Sequence, residues 1–304
     1  MLTPAIDSYL QLRRAGGFQL RDTEVLLREF AGFAAERGQT HIQADTAIAW
    51  AARATSLKQR ARRLNSLILF ARYVRAEDAE HAVPPNGVFA PQSPSRPRPH
   101  IYTSAEIAAI LAGAKQLPPA GSLRPHTFYT LFGLVAACGL RISEALALQI
   151  DDIRLDGLFI RETKFRKSRL VPLHPTTSTQ LALYLDRRQQ LTRVETHLFV
   201  SLRRKPLRYP TVNQTFLFLV RKLGLRAGPG QPGPRLHDAR HTFASRALEN
   251  TPDEPAKISK HMLALSTYLG HARITDTYWY LQSTTHLMTG IADDCQAYLE
   301  GGQS

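Results

Sequence analysis

The sequence predicts a mainly α protein of two domains, the second carrying one small antiparallel β-sheet. Three observations lead there. Apolar residues recur at helical spacing through roughly the first ninety residues, a proline-rich stretch from Val83 to Pro99 breaks that pattern, and beyond it one pair of short β-type runs stands among further helical segments. At 304 residues the chain has room for two domains that each bury a core.

The first domain, residues 1–82, reads as a small helical bundle. Leu26, Phe30 and Phe33 fall at i, i+4 and i+7, and Leu57, Ala61, Leu64, Ile68 and Ala71 continue the spacing. Its last helix carries Lys58, Arg62 and Arg72 off the apolar stripe, together with Arg60 and Arg63. A helix lying along DNA phosphates needs such cations, and an ordinary solvated face carries them equally well; the net charge of +14 favours DNA. Residues 83–100 follow as a linker: Pro84, Pro85, Asn86 and Gly87, then Pro91, Pro94, Pro97 and Pro99, sustain neither a helix nor a central strand.

The second domain spans 101–304. Thr103-Ser104-Ala105-Glu106 has the form of a capping box ahead of Ile107, Ile110 and Leu111. An apolar helix from Phe128 to Cys138 stops at Gly139, and a short one carries Arg141 to Leu148. Two short runs, 158–163 and 168–173, flank a basic turn and read as a β-hairpin. The remainder reads as helices joined by loops, among them Arg203-Arg204-Lys205 and the Gly/Pro-rich 227–234.

Several function classes are disfavoured. The longest apolar stretch, near Phe132 to Leu140, is far short of the roughly 20 residues a membrane-spanning helix requires. No charged-then-apolar leader opens the sequence, so a cytoplasmic, nucleoid-associated protein is expected. Cys138 and Cys295 have no Cys or His at metal-ligand spacing, which argues against a disulfide framework and a zinc site.

The residues able to do chemistry gather in short motifs: Gly139-Leu140-Arg141-Ile142-Ser143-Glu144; Lys164 ahead of Val171-Pro172-Leu173; Leu236-His237-Asp238-Ala239-Arg240-His241-Thr242-Phe243; Leu269-Gly270-His271; and Tyr280, nine residues after His271. Singly they are ordinary, since Arg141 and Glu144 at helical spacing form a surface ion pair in many proteins and a Gly-His step is commonly a helix end. Together they supply what a tyrosine needs to break a phosphodiester. That attack requires cations for a phosphate whose charge grows, a donor for the leaving hydroxyl and a base for a phenol whose pKa is about 10 in water.

In combination and order these motifs resemble the tyrosine recombinase, or phage integrase, family, over Ile101 to about Leu299. The resemblance implies a helical core-binding (SAM-like) DNA-binding domain at 1–82 and a mostly helical catalytic domain at 101–304. It implies that Arg141 and Arg240 grip the scissile phosphate, Lys164 protonates the departing 5′ hydroxyl, His237 and His271 complete the acid–base and oxyanion set, and Tyr280 is the nucleophile. Glu144 would aim Arg141. A 3′-phosphotyrosine keeps the energy of the phosphodiester, so no metal, ATP or other cofactor is expected, in keeping with the lack of a P-loop or a Mg²⁺-type carboxylate cluster in the sequence. The implied partners are double-stranded DNA and further copies of the chain, a dimer on a site and a tetramer in a synapse, with partner recombinases or accessory proteins left open. Lys58, Arg62, Arg72, Arg166 and Lys167 are the expected DNA contacts.

Some features depart from the family pattern. The turn Phe165-Arg166-Lys167 lacks the glycine common there, so Lys167 rivals Lys164, which the count back from Val171 favours. Tyr278 rivals Tyr280, which the spacing from His271 favours, and the 250–260 segment is longer than the usual connection. Met288, Ile291, Cys295 and Leu299 form an apolar stripe suited to packing at home or on a neighbouring subunit. Three other readings remain at this point: a relaxing topoisomerase of the same chemistry, a non-catalytic DNA-binding regulator, and a metal-dependent phosphohydrolase built on His237 and Asp238.

Overall fold

The computed structural model describes residues 2–89, 99–161, 168–191, 195–249, 255–271 and 277, with backbone alone at 255–258. The chain divides into two compact units, Met1–Pro97 and Arg98–Ser304.

The first unit has four described helices: α1 (Leu2–Ala15), α2 (Arg21–Ala35), α3 (Ala44–Ala52) and α4 (Leu57–Arg75). Ser56 caps α4 by accepting from the Gln59 amide. The four helices close on Ile6, Leu10, Leu27, Phe30, Ile42, Leu67 and Phe70, all fully or almost fully buried. The stripe read from the sequence is shifted at one place, because Leu57 is exposed while Leu67, Phe70 and Val74 do the packing. Leu57 is the first residue of α4, ahead of the part of the helix that the bundle covers. Lys58, Arg62 and Arg72 stand exposed on α4. Arg62 pairs with Asp22 at 2.5 Å and Arg63 with Glu29 at 3.3 Å, so part of this basic face is neutralised by α2.

The second unit is helical around one small sheet. Its described α-helices are α5 (Ser104–Lys115), α6 (Leu123–Cys138), α7 (Ile142–Ala147), α8 (Pro175–Leu191), α9 (Tyr209–Lys222), α10 (Asp238–Glu249) and α11 (Pro255–Leu269). Thr103 closes the capping box of α5: it accepts from the Glu106 amide at 3.1 Å, and Glu106 accepts from the Thr103 amide at 2.7 Å. α6 begins earlier than the apolar run suggests. Ser122 caps it and Pro125 sits in the first turn, where an amide would have no partner. α6 is the central helix, buried on almost every side, with α5, α8 and α10 against it. Burial pushes its Cys138 thiol up to about 12, leaving the group unreactive.

The sheet runs β1 (Ile153–Arg154), β2 (Gly157–Ile160) and β3 (Arg169–Val171), antiparallel in that order. The expected hairpin is β2–β3, with Leu158 opposite Val171 and Ile160 opposite Arg169. β1, too short to show a period in the sequence, adds an edge by pairing Ile153 with Leu158. Arg188 of α8 is completely buried and donates to the carbonyls of Glu195, His197 and Leu198, fixing the segment that follows that helix. No helix among the described residues is long and apolar enough to cross a membrane.

Candidate active site

The site begins where α6 stops. Gly139 ends that helix in the left-handed region, at φ 58°, and a Cβ there would lie 2.5 Å from the Phe243 ring of α10. Only glycine allows both the turn and the close approach. The turn delivers Arg141 to the start of α7, as the residue before its first turn rather than inside the helix as the sequence suggested. The reason is Glu144, three residues on, whose carboxylate accepts from the Arg141 amide at 3.0 Å and from Arg141 Nη1 at 2.7 Å. One carboxylate thus caps the helix and aims the side chain.

Glu144 is held from its other side as well. Arg169 of β3 donates Nη1 and Nη2 to its two oxygens at 3.1 and 2.8 Å, so the carboxylate accepts four hydrogen bonds. Burial alone would push the Glu144 carboxyl up; the bonds and charge of Arg169, then those of Arg141, outweigh it and hold the pKa below the usual range.

α10 supplies the second arginine. Arg240 is 1 % exposed and donates to the Gly139 carbonyl at 2.8 Å, tying α10 to the end of α6. His237 stands immediately ahead of Asp238, the first residue of α10, so it shares a terminus with Arg240 rather than a full helical face. Its ring is perpendicular to that of His241, with centroids 5.0 Å apart. Partial desolvation, and then the Arg240 charge, lower the His237 pKa; His241 is lowered to about 4, first by burial and then by the charge of His237. Both imidazoles are therefore neutral at neutral pH. Asp238 is buried and accepts from the Arg235 amide at 2.8 Å and from its guanidinium at 2.7 Å, so this carboxylate is already committed.

The C-terminus of α11 brings these parts together. Gly270, at φ 65°, ends the helix; its amide donates to Thr267 and the His271 amide to Ser266. That pair of bonds is a Schellman motif, and it leaves the carbonyls of residues 268, 269 and 270 at the negative end of the helix dipole. Three arginines take them. Arg169 Nε donates to Tyr268 at 2.7 Å, Arg240 Nη2 to Leu269 at 2.6 Å, and Arg141 to Leu269 at 3.3 Å and Gly270 at 3.2 Å. His271 follows directly. Its Nε2 lies 3.1 Å from Arg240 Nη2, and because a guanidinium only donates, Nε2 accepts and the ring proton sits on Nδ1. Nδ1 then donates to the hydroxyl of Thr277, a fully buried residue, at 2.7 Å.

Arg141, Glu144, His237, Arg240 and His271 are thus gathered at the end of α6, the starts of α7 and α10 and the end of α11. Lys164, Arg166 and Lys167, the rival tyrosines Tyr278 and Tyr280, and the tail from Met288 to Leu299 lie outside the described residues. Two contributors were not singled out from the sequence. Thr277 carried no signal beyond its nearness to Tyr280. Arg169 carried one: in a strand it shares a face with Val171, which is buried, so the pattern places a cation on the inward side of β3.

The described residues hold one grouping with metal-ligand chemistry, outside the residues of this site: His41, Asp78 and His81 in the first unit, whose candidate ligand atoms lie within 4.8 Å of one another. The Ile42 amide donates to His81 Nδ1 at 3.1 Å, which places the proton of that ring on Nε2, facing Asp78. The group is accordingly a hydrogen-bonded clasp between the segment ahead of α3 and the segment after α4.

The chain is similar to known proteins in sequence and in fold. The model of the phage integrase family matches residues 101–286. A putative integrase/recombinase of Sinorhizobium fredii is 40 % identical over 294 residues, covering 93 % of each chain. A tyrosine recombinase XerD of Caulobacter vibrioides is 30 % identical over 258 residues, 82 % of this chain and 75 % of its own length. Among solved structures, a lambda integrase dimer bound to a core site shares the fold with a TM-score of 0.62 at 20 % identity, over 92 % of this chain and 76 % of that one.

Proposed function

The chain belongs to the phage integrase family and is a tyrosine-type DNA recombinase, and from that premise we propose that it cuts and rejoins DNA through a covalent 3′-phosphotyrosine at Tyr280, with no metal ion or nucleotide. One observation carries the reading: Arg141 and Arg240, remote in sequence, both donate to the Leu269 carbonyl, two residues before His271. Two guanidiniums held side by side, each planar and permanently charged, suit the non-bridging oxygens of a phosphodiester. Their carbonyl partners are fixed before DNA arrives, so little reorganisation is needed as negative charge grows.

The steps follow from the donor inventory. The Tyr280 oxygen attacks phosphorus, the bond to the 5′ oxygen breaks, and the Lys164 ammonium gives that oxygen its proton. Neutral His271 accepts the phenolic proton through Nε2, the nitrogen whose lone pair Arg240 now occupies. His237, neutral because its pKa is lowered, donates an N–H to the developing oxyanion. A 5′ hydroxyl of another strand then reverses the sequence, and the phosphotyrosine supplies the energy. We read residues 1–82 as a DNA-binding domain that acts with this site, and the working unit as a dimer on one site and a tetramer in a synapse.

Incubation with DNA nicked near the cleavage point tests the reading. The wild type and Tyr278→Phe should yield an SDS-resistant adduct and transfer a labelled strand to a second duplex, whereas Tyr280→Phe should do neither. An adduct without transfer between duplexes would instead favour a relaxing topoisomerase.

A further inference from the structure

We infer that Arg169 is a positioning residue for strand cleavage: it sets the reach of Arg141 through Glu144 and anchors β3 to that pair. The inference rests on the reading of Arg141 as a phosphate clamp, and it adds a group outside the catalytic set. Every polar atom of the Arg169 guanidinium is committed to the site's framework and none to solvent-facing charge: Nη1 and Nη2 to the two oxygens of Glu144, Nε to the Tyr268 carbonyl. Its side chain is 10 % exposed.

Three consequences follow from that geometry. First, Glu144 has only so many ways to turn; with Arg169 gripping both oxygens in a planar two-point contact, the lone pairs left over face Arg141, whose guanidinium is thereby fixed in direction. Second, the same guanidinium ties β3 to the end of α11, one residue from the carbonyl that Arg141 and Arg240 share. Arg169 opens β3 and lies five residues after Lys164 in the sequence, so the strand it anchors is the one that the proposed proton donor precedes. Third, the space is reserved for it: a Cβ on Gly270 would come within 2.7 Å of Arg169 Nη1. Glycine at 270 therefore serves both the left-handed turn and the passage of this side chain. Lysine offers one point charge where the site uses three directed N–H groups, so it cannot reproduce the arrangement.

The test compares wild type, Arg169→Lys, Arg141→Lys and the double variant on nicked DNA, measuring the single-turnover rate of covalent adduct formation, DNA affinity and melting temperature. Arg169→Lys should slow adduct formation about 10- to 100-fold, as expected for displacement of a reacting group by about 1 Å, with DNA affinity changed by no more than about 2-fold. Because Arg169 acts through Arg141, the double variant should be no more than about 2-fold slower than Arg141→Lys alone; a merely structural loss would multiply the two effects. Glu144→Gln, which leaves the Arg169 side chain intact but turns one of its two acceptors into a donor, should show the same non-additivity with Arg141→Lys and decides the matter if Arg169→Lys fails to fold. An unchanged adduct rate in Arg169→Lys, or in Glu144→Gln, or multiplicative losses in the double variants, would overturn the inference. Failure of the wild type to form any adduct, or persistence of the adduct in Tyr280→Phe, would instead sink the underlying reading of the site.

Discussion

Arg240 is a cation almost without solvent contact, and its acceptors include two main-chain carbonyls and an imidazole. Such a group stays charged through any plausible perturbation, whereas a lysine in its place donates from a single nitrogen, cannot reach the partners of both Nη1 and Nη2 at once, and would lose part of its charge on burial. Arg240→Lys should therefore lower the rate of adduct formation by roughly 100-fold or more while leaving the first unit's stability untouched, as read from single-turnover kinetics and melting curves. Glu144 offers a second test at this scale. Its folded pKa lies below the ordinary value of 4.5, so the folded state holds its proton less tightly than the unfolded one. The stabilisation is complete above about 4.5 and is lost as pH falls through the depressed folded value. Melting temperature measured against pH should fall in that acid range, and Glu144→Gln should be flatter there.

At the scale of elements, the site is a meeting of helix ends. The close of α6 at Gly139, the cap of α7 and the Schellman end of α11 each leave main-chain groups that arginines and Glu144 satisfy. Gly139→Ala should accordingly destabilise the protein by about 2 to 4 kcal/mol, through the left-handed backbone and the collision with Phe243, and it should depress activity further because the Gly139 carbonyl holds Arg240. Thr103→Ala, which opens the capping box of α5 away from the site, should cost about 1 kcal/mol and leave the adduct rate per folded molecule unchanged. Much of this was legible in the sequence. The capping box, the stop at Gly139, the hairpin and the pairing of Arg141 with Glu144 are local patterns, and local hydrogen bonding decides them. What was not legible was long-range: that Arg169 would cross to Glu144, that Phe243 would fill the space above Gly139, and that three arginines would converge on the end of α11. No spacing rule joins residues that far apart in the chain. Arg141 was expected inside a helix and stands ahead of one because Glu144 captures its amide.

At the scale of the whole molecule, a chain with a net charge of +14 divides into two compact units, each with its own core, and that charge favours attraction to a polyanion. In the first unit Arg62 and Arg63 are partly neutralised by Asp22 and Glu29, while Lys58 and Arg72 stand exposed on the same helix. Lys58→Ala and Arg72→Ala should each weaken DNA binding across sequences and reduce the slope of log affinity against log salt by roughly one, whereas Arg62→Ala should do less because its charge is shared with Asp22.

The central claim is that Tyr280 becomes covalently joined to DNA, and digestion of the trapped adduct followed by mass spectrometry tests it most directly. A single modified peptide containing both Tyr278 and Tyr280 is expected, with the nucleotide mass on Tyr280 and Tyr278 unmodified; the nucleotide on Tyr278, or on any residue other than Tyr280, would contradict the assignment.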